Sequence, residues 1–163
     1  MQELPHTHSC FVCGESNAIG FRLRFETDGH IVQTRFRPRT EHNGFKNVMH
    51  GGLIATVLDE VMVWGCAVAT RQFGYCAELT VRFVRPARPG EELVAIGELA
   101  ANRKGKVFEA KGTLRDTSGK PLAEATGKYL PIKTTDVAAL AADFVGDAKW
   151  VLDRGQTPPF ALT

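Results

Sequence analysis

Residues 49–60 read Met-His-Gly-Gly-Leu-Ile-Ala-Thr-Val-Leu-Asp-Glu, a His-Gly-Gly turn that runs directly into an apolar helical segment. The glycine pair, Gly51 and Gly52, would leave backbone N–H groups free at the positive end of the helix dipole. Asp59 follows seven residues after Gly52. An ionised carboxylate in an apolar helix is costly unless it has partners or a function. The segment therefore combines a group that can polarise a carbonyl with a possible base, as acyl-transfer and hydrolysis sites require.

The composition is that of an ordinary soluble globular protein. The chain has 163 residues, of which 44% are hydrophobic and 23% are charged, and its formal net charge is +2. This length fits one domain with a sizeable core. The largest basic cluster, Arg103, Lys104 and Lys106, is too small for a nucleic-acid-binding face. We therefore expect no nucleic-acid partner.

The longest apolar run, residues 53–70, predicts a helix that is buried on most sides. Asp59 and Glu60 lie near its middle, and a charge there would cost at least ~2.5 kcal/mol in a membrane. We therefore expect a core helix and no membrane association. Glu60 points about 100° away from Asp59 around the helix, and we expect it at the surface or at a subunit interface.

Alternation of apolar and polar residues predicts strands on both sides of this helix. The predicted strands are residues 21–26, 31–37, 77–83, 92–102, 106–116 and 121–132. Asp28-Gly29 predicts a hairpin turn between the first two. One helix among antiparallel strands predicts an α+β fold, with the sheet wrapped around the helix. We expect this domain to span residues 1–133. A C-terminal helical tail, 134–163, would pack on it with an interruption at Gly146.

The four cysteines bear on metal binding and on cellular location. Cys10 and Cys13, with His8 nearby, look like half of a zinc site. Structural zinc usually has four ligands in two such pairs, and Cys66 and Cys76 do not form a second pair. We therefore predict no metal, and expect the 10–13 turn to pack on the sheet through its small thiols. The N-terminus has no apolar signal segment, so reduced thiols and a cytoplasmic location are expected.

The predicted order β-β-α-β-β-β-β, with His-Gly-Gly opening the helix, is similar to the hotdog fold. More narrowly, residues 10–133 resemble acyl-CoA thioesterases of the phenylacetate-pathway and thioesterase-superfamily-member type. The residues that carry this resemblance are Cys10-Phe11-Val12-Cys13-Gly14, His50-Gly51-Gly52 followed by Asp59, Glu78-Leu79-Thr80-Val81-Arg82-Phe83 with Pro86, and Gly119-Lys120-Pro121-Leu122-Ala123.

The resemblance implies roles for four residues in catalysis, and His50 is a fifth candidate because of its position before the helix. Asp59 would be the base or nucleophile toward a thioester, and the backbone N–H of Gly51 would polarise its carbonyl. Cys76 stands where the family commonly has a Ser or Thr that helps to place water, and a thiol is a weaker hydrogen-bonding group. Asn43 is the candidate for the side-chain amide that often assists the carbonyl. His50 is either an acid or base, or a residue that ties down the loop before the helix.

The resemblance also implies a substrate and an assembly. Gly52, Arg103, Lys104 and Lys106 are the predicted substrate-binding residues, the three cations contacting the phosphates of coenzyme A. The alternative for the cations is a solvated strand edge. Family members are dimers or dimers of dimers with sites between subunits. We therefore expect a homodimer or homotetramer that acts on acyl-CoA without a cofactor.

The predicted function is the hydrolysis of an acyl-CoA, or another acyl thioester, to a free acid and a thiol. Two alternatives stay open. A cysteine at position 76, where the family commonly has a Ser or Thr, is consistent with a protein that binds acyl-CoA without hydrolysing it. A hydratase or dehydratase of enoyl thioesters is the other alternative, and it would require His50 to be catalytic.

Overall fold

The fold has one long helix lying on a large antiparallel sheet. The computed structural model describes residues 1–133, 137–152 and 157–159. The helices are α1 (Gly51–Thr70), α2 (Val137–Ala141) and α3 (Lys149–Leu152). The strands are β1 (Gln2–Glu3), β2 (His6–Thr7), β3 (Glu26–Thr27), β4 (Ile31–Phe36), β5 (Asn43–Phe45), β6 (Val48–Met49), β7 (Gly74–Phe83), β8 (Leu93–Arg103), β9 (Val107–Asp116), β10 (Pro121–Pro131) and β11 (Phe144–Val145).

Seven strands form the main sheet in the order β1-β3-β4-β8-β9-β10-β7, and β7 is an edge strand. All neighbouring pairs are antiparallel. The pairs β5–β6 and β2–β11 form two small additional sheets. This arrangement confirms the predicted α+β hotdog fold, with the core between α1 and the sheet.

Helix α1 confirms the predicted helix and begins two residues earlier. Its first turn is capped by His50, whose ring Nδ1 accepts a hydrogen bond from the N–H of Gly52 at 2.9 Å. It ends at Arg71, which adopts the left-handed conformation with φ 55°. By length and composition α1 could cross a membrane, with a mean hydropathy of 1.6. In this fold it is the core helix, and Val57, Leu58 and other inward residues are fully buried.

Two glycines bring the sheet into direct contact with α1. Gly97 on β8 and Gly112 on β9 lie opposite each other. A Cβ atom on Gly97 would lie 2.3 Å from the carbonyl oxygen of Val61. A Cβ atom on Gly112 would lie 3.1 Å from the side chain of Met62. The helix backbone therefore rests on the sheet at a distance that only glycine allows at position 97.

The strand predicted over residues 21–26 is wrong in its extent, because only Glu26–Thr27 pairs as a strand. The alternation still marked a buried face, since Phe21, Leu23 and Phe25 are all buried. Arg22 has a left-handed φ of 56°. The N–H groups of Phe21 and Leu23 donate to carbonyls of the 10–14 segment instead of to a neighbouring strand.

The described part of the C-terminal tail contains two short helices, as predicted, and one unpredicted strand. Strand β11 lies between α2 and α3 and pairs with β2. The ring of Phe144 packs against Trp64 and Phe73, with ring centroids 6.1 and 5.7 Å apart. Gly146 follows with a φ of 90°. The division of the chain at residue 133 stays a prediction.

We expect Gly97→Ala to lower the free energy of unfolding by about 3 kcal/mol, the upper end of overpacking costs. The new methyl group would meet a helix carbonyl that cannot rotate away. Gly112→Ala is the matched control, and we expect it to cost about 1 kcal/mol because the Met62 side chain can shift. Urea unfolding of both variants measures the difference. Equal losses would contradict the backbone contact.

Candidate active site

Helix α1 carries two separate groups of candidate residues. Gly51 is at its first position, and Asp59 lies eight residues further along. At 1.5 Å per residue, this separation is about 12 Å along the helix axis. The two groups are therefore separate within one chain, because one thioester carbonyl cannot contact both of them.

Gly51 lines an apolar cleft at the N-terminal end of α1. The cleft has a volume of about 390 Å³, and its other lining residues include Val48, Met49, Ile54, Phe83 and Ala87. Within the described residues, the N–H of Gly51 donates to no protein acceptor. Helix N-termini leave such N–H groups open to polar ligands. This donor in the cleft wall can polarise a carbonyl oxygen.

The absence of a side chain at Gly51 keeps this cleft open. A Cβ atom there would lie 3.1 Å from the ring of Phe83. Any larger residue would have to displace that ring or occupy the cleft itself. The predicted need for glycine at this position therefore has a steric cause.

Gly52 follows Gly51 but does not line the cleft, and its predicted contact with a substrate stays a prediction. Its N–H already donates to Nδ1 of His50 at 2.9 Å. This bond makes His50 the N-cap of α1, which agrees with the interpretation that its ring ties down the preceding loop. Nδ1 is occupied as an acceptor, so only Nε2 of the exposed ring can exchange a proton with a ligand.

Asn43 lies near this cleft but does not line it. It begins β5 and pairs with Met49 on β6. Its Oδ1 is buried and has no hydrogen-bond partner in the part of the chain that the structure describes. The loop before α1 therefore holds Asn43 behind the cleft wall, and its assistance to a carbonyl stays a prediction.

Asp59 lies in a second group with Tyr129 and Cys76. The hydroxyl of Tyr129 donates to Oδ1 of Asp59 at 2.9 Å, and the Tyr129 side chain is fully buried. Burial and the charge of Asp59 raise the pKa of Tyr129, so the hydroxyl keeps its proton. Burial and Asp59 also raise the pKa of the Cys76 thiol to about 11. The Asp59 carboxylate therefore has two protonated neighbours from its own chain.

Tyr129 was not predicted from the sequence, because its direction depends on an irregularity in the sheet. The pairing of β7 with β10 shifts here, so that Cys76 lies opposite Tyr129 and Ala77 is left unpaired. Such bulges redirect side chains. Gly127 makes room for the ring, since a Cβ atom there would lie 2.8 Å from the Tyr129 hydroxyl oxygen. The sequence feature that could have indicated this arrangement is Gly127, two residues before Tyr129 in the same predicted strand.

Glu60 is half-buried, and its predicted place at the surface or at a subunit interface stays a prediction. Its carboxylate oxygen lies 3.6 Å from Sγ of Cys10, on the side of α1 that faces residues 10–14, the N-terminal cysteine turn. Burial, followed by the nearby Cys10, raises the pKa of Glu60 to about 8. The sequence could not place this carboxylate, because its neighbours come from a segment 50 residues earlier.

The three predicted phosphate-binding cations lie in and beside the turn between β8 and β9, away from the lining of the Gly51 cleft. Arg103 makes two hydrogen bonds to the carboxylate of Glu109, at 2.9 and 3.1 Å. The cation that does line the cleft is Arg85. Its guanidinium is paired with Asp116 at 3.0 Å. The role of the turn in binding a substrate stays a prediction.

Comparison with known proteins shows which proteins this chain is similar to. Residues 46–121 match the thioesterase superfamily. Acyl-coenzyme A thioesterase 13 of Mus musculus is 26% identical over 85 residues, which are 52% of this chain and 61% of that protein. The resemblance to hotdog-fold acyl-CoA thioesterases is confirmed. The chain spans about 61% of the length of this curated relative.

Solved structures agree with the hotdog fold. A thioesterase superfamily protein superimposes with a TM-score of 0.70 at 26% identity, covering 76% of this chain and 60% of that one. The E. coli PaaI protein from the phenylacetic acid degradation operon gives a TM-score of 0.62 at 17% identity, covering 68% and 80%. Tyr129 and the cysteine turn both lie outside the matched residues 46–121.

We expect Tyr129→Phe to lower the free energy of unfolding by about 2 kcal/mol, since it removes a hydrogen bond to a carboxylate and leaves the ring in place. Tyr75→Phe is the matched control. Tyr75 is 56% exposed, so the loss should stay below about 0.5 kcal/mol. Chemical denaturation measures both, and similar small losses would show that the Tyr129–Asp59 bond contributes nothing.

Proposed function

We propose that this hotdog protein hydrolyses acyl-CoA thioesters to a free acid and coenzyme A. The observation that carries the proposal is the unpaired N–H of Gly51 in the wall of an apolar cleft. The match to the thioesterase superfamily includes this segment. Two proteins with the same fold are described as bound to acetyl CoA or to coenzyme A, smu.793 of Streptococcus mutans and a thioesterase of Streptococcus pneumoniae.

In the proposed reaction the acyl chain occupies the apolar cleft, and the thioester carbonyl oxygen accepts a hydrogen bond from Gly51. The helix dipole and this N–H stabilise the negative charge that develops on that oxygen. Asp59 accepts a proton from water as the water oxygen bonds to the carbonyl carbon. The tetrahedral intermediate then expels the thiolate, which takes up a proton and leaves as coenzyme A. In the nucleophilic route the Asp59 carboxylate itself attacks the carbon, and once the thiolate has left, water hydrolyses the resulting acyl–Asp59 anhydride to the free acid and restores the carboxylate.

The proposed site requires two copies of the chain. The separation of about 12 Å between Gly51 and Asp59 is too large for one carbonyl and one attacking water. Strand β7 has ten residues, and within the described part of the chain no strand pairs with its outer edge. The exposed apolar side chains on β7 and beside it are Tyr75, Phe83, Val84 and Leu130. Long apolar edges are normally covered. A second copy paired there would bring Asp59 of the partner subunit toward Gly51.

The predicted contact of the β8–β9 turn with the substrate also depends on an assembly of two or more chains. A homodimer, or a homotetramer built from it, would let the turn with Arg103, Lys104 and Lys106 reach the phosphates of coenzyme A bound at the neighbouring cleft. All four cysteines are free thiols, as expected for a protein of the cytoplasm, and that location stays a prediction.

A second candidate function, binding of acyl-CoA without turnover, is favoured by one observation. The Cys76 thiol beside Asp59 keeps its proton, because burial and the carboxylate raise its pKa to about 11, and a thiol positions water more weakly than a hydroxyl. A hydratase is less favoured. It would need His50 as a base, and Nδ1 of that ring is already used in capping α1.

We expect Asp59→Asn to lower kcat for acyl-CoA hydrolysis by about 100- to 10,000-fold, the range for removal of a general base. Release of free thiol from acetyl-, hexanoyl-, palmitoyl-, benzoyl- and phenylacetyl-CoA measures it. Glu3→Gln is the matched control, an exposed acid on β1 at the opposite edge of the sheet, and should keep wild-type turnover. Undiminished turnover in Asp59→Asn would refute the assignment. Tight binding of acyl-CoA by an inactive wild type would favour the binding protein.

A mixed dimer tests whether Gly51 and Asp59 act from different subunits. Gly51→Val should be inactive because the side chain enters the cleft against Phe83. A heterodimer of Gly51→Val with Asp59→Asn, isolated with two different affinity tags, retains one intact site only if that site is shared. We expect it to recover about half of the wild-type turnover. No recovery would mean that each chain supplies both groups of its own site.

A further inference from the structure

The N-terminal cysteine turn, residues 10–14, has no part in the proposed hydrolysis, and its surroundings are unusual. Sγ of Cys10, Sγ of Cys13 and a carboxylate oxygen of Glu60 all lie within 4.8 Å of one another. Cys13 is buried and Cys10 is half-buried. Two sulfurs and a carboxylate from α1 therefore converge at one point in the fold.

We propose that Cys10, Cys13 and Glu60 bind a divalent thiophilic cation, Zn²⁺ in the first place. Thiolate and carboxylate are ligands that zinc accepts in proteins, and three protein ligands with one water complete its tetrahedral coordination. The ligand atoms of such a site lie roughly 3.5–3.8 Å apart. Sγ of Cys10 and Oε1 of Glu60 are already separated by 3.6 Å.

The turn is built to present its sulfurs before any cation binds. The N–H of Val12 donates to Sγ of Cys10 at 3.2 Å, and N–H donors of this kind stabilise thiolate ligands. The N–H of Gly14 donates to the carbonyl of Cys10 at 2.9 Å. A Cβ atom on Gly14 would lie only 2.2 Å from that carbonyl oxygen. The turn is therefore tight, and glycine is required at its end.

The position of Glu60 is the second reason to expect a cation, because its carboxyl group lies beside both sulfurs. Among the described residues, no lysine, arginine or histidine forms an ion pair with Glu60. Arg24 lies beside the turn, but its guanidinium donates to the carbonyl oxygens of Cys13 and Leu23. Shielding an unpaired carboxylate from water is unfavourable. A divalent cation bound to two thiolates and this carboxylate would leave one net negative charge in place of three.

Bound in this way, the cation would join the N-terminal segment to the middle of α1. A disulfide between Cys10 and Cys13 is the competing chemistry for the same two sulfurs. It would leave Glu60 without a role, and it would need a disulfide or peroxide oxidant. The cation uses all three groups, so it accounts for more of the observed cluster.

The test uses the full chain purified with a reductant. Its metal content is measured first by mass spectrometry. The chelator-treated protein is then titrated with Co²⁺ under anaerobic conditions. We expect one equivalent to bind, with sulfur-to-cobalt charge-transfer absorption and the strong visible bands of tetrahedral Co²⁺, and Zn²⁺ to displace it. Competition with a chromogenic chelator gives the affinity for Zn²⁺.

Variants assign the ligands. Cys13→Ser should reduce the charge-transfer absorption to about half and weaken binding, since one of two thiolates is lost. Glu60→Gln should keep that absorption and lower the affinity for Zn²⁺ by at least ~10-fold. Cys76→Ser and Asp59→Asn are the matched controls, a thiol outside the cluster and the adjacent acid on α1. Both should bind one equivalent with the wild-type spectrum.

Three results would overturn the proposal. The first is a folded wild-type protein that shows no charge-transfer absorption at stoichiometric Co²⁺. The second is an unchanged spectrum and affinity in both ligand variants. The third is a Cys10–Cys13 disulfide, seen as a loss of two hydrogen masses, in a reduced preparation that binds no cation. If Cys13→Ser does not fold, the wild-type spectrum and Glu60→Gln decide the question.

Discussion

The carbonyl of Val61 occupies the space where a side chain at position 97 would stand. This contact fixes the distance between α1 and the sheet, and it also fixes how far the helix is rotated. Helix α1 carries Gly51 at its beginning and both Asp59 and Glu60 near its middle. The direction of each of these groups therefore follows from one close approach between two backbones, rather than from the loops around them.

Neighbouring side chains on α1 face different parts of the structure because the helix turns about 100° per residue. Asp59 faces the hydroxyl of Tyr129 and the thiol of Cys76, on the side of β7 and β10. Glu60 faces the cysteine turn. The two carboxylates are adjacent in sequence, yet their partners differ in chemistry. The Asp59 carboxylate accepts a hydrogen bond from a hydroxyl group, and the Glu60 carboxylate lies beside the sulfur atoms of the cysteine turn.

Much of the fold was predictable because it depends on local periodicity. The apolar run predicted α1, and the alternation of apolar and polar residues predicted the four long strands after it. Gly51 and Asp59 were recognisable as site candidates from the sequence of the helix itself. Three features were not predictable, because they depend on contacts between distant segments. Tyr129 is aimed at Asp59 by a shifted pairing of two strands. Glu60 meets Cys10 across 50 residues. Strand β11 exists only through its pairing with β2.

The turn-by-turn geometry of α1 also limits how the chain can change in length. If Gly51 stays in the cleft, inserting one residue between it and Asp59 places Leu58 opposite Tyr129 and sends Asp59 toward the cysteines. Deleting one residue there brings Glu60 to Tyr129 and leaves the cysteine turn facing Val61. Insertions and deletions should therefore be excluded from the first half of α1, whereas the β8–β9 turn, where Gly105 has open space around it, can accept them.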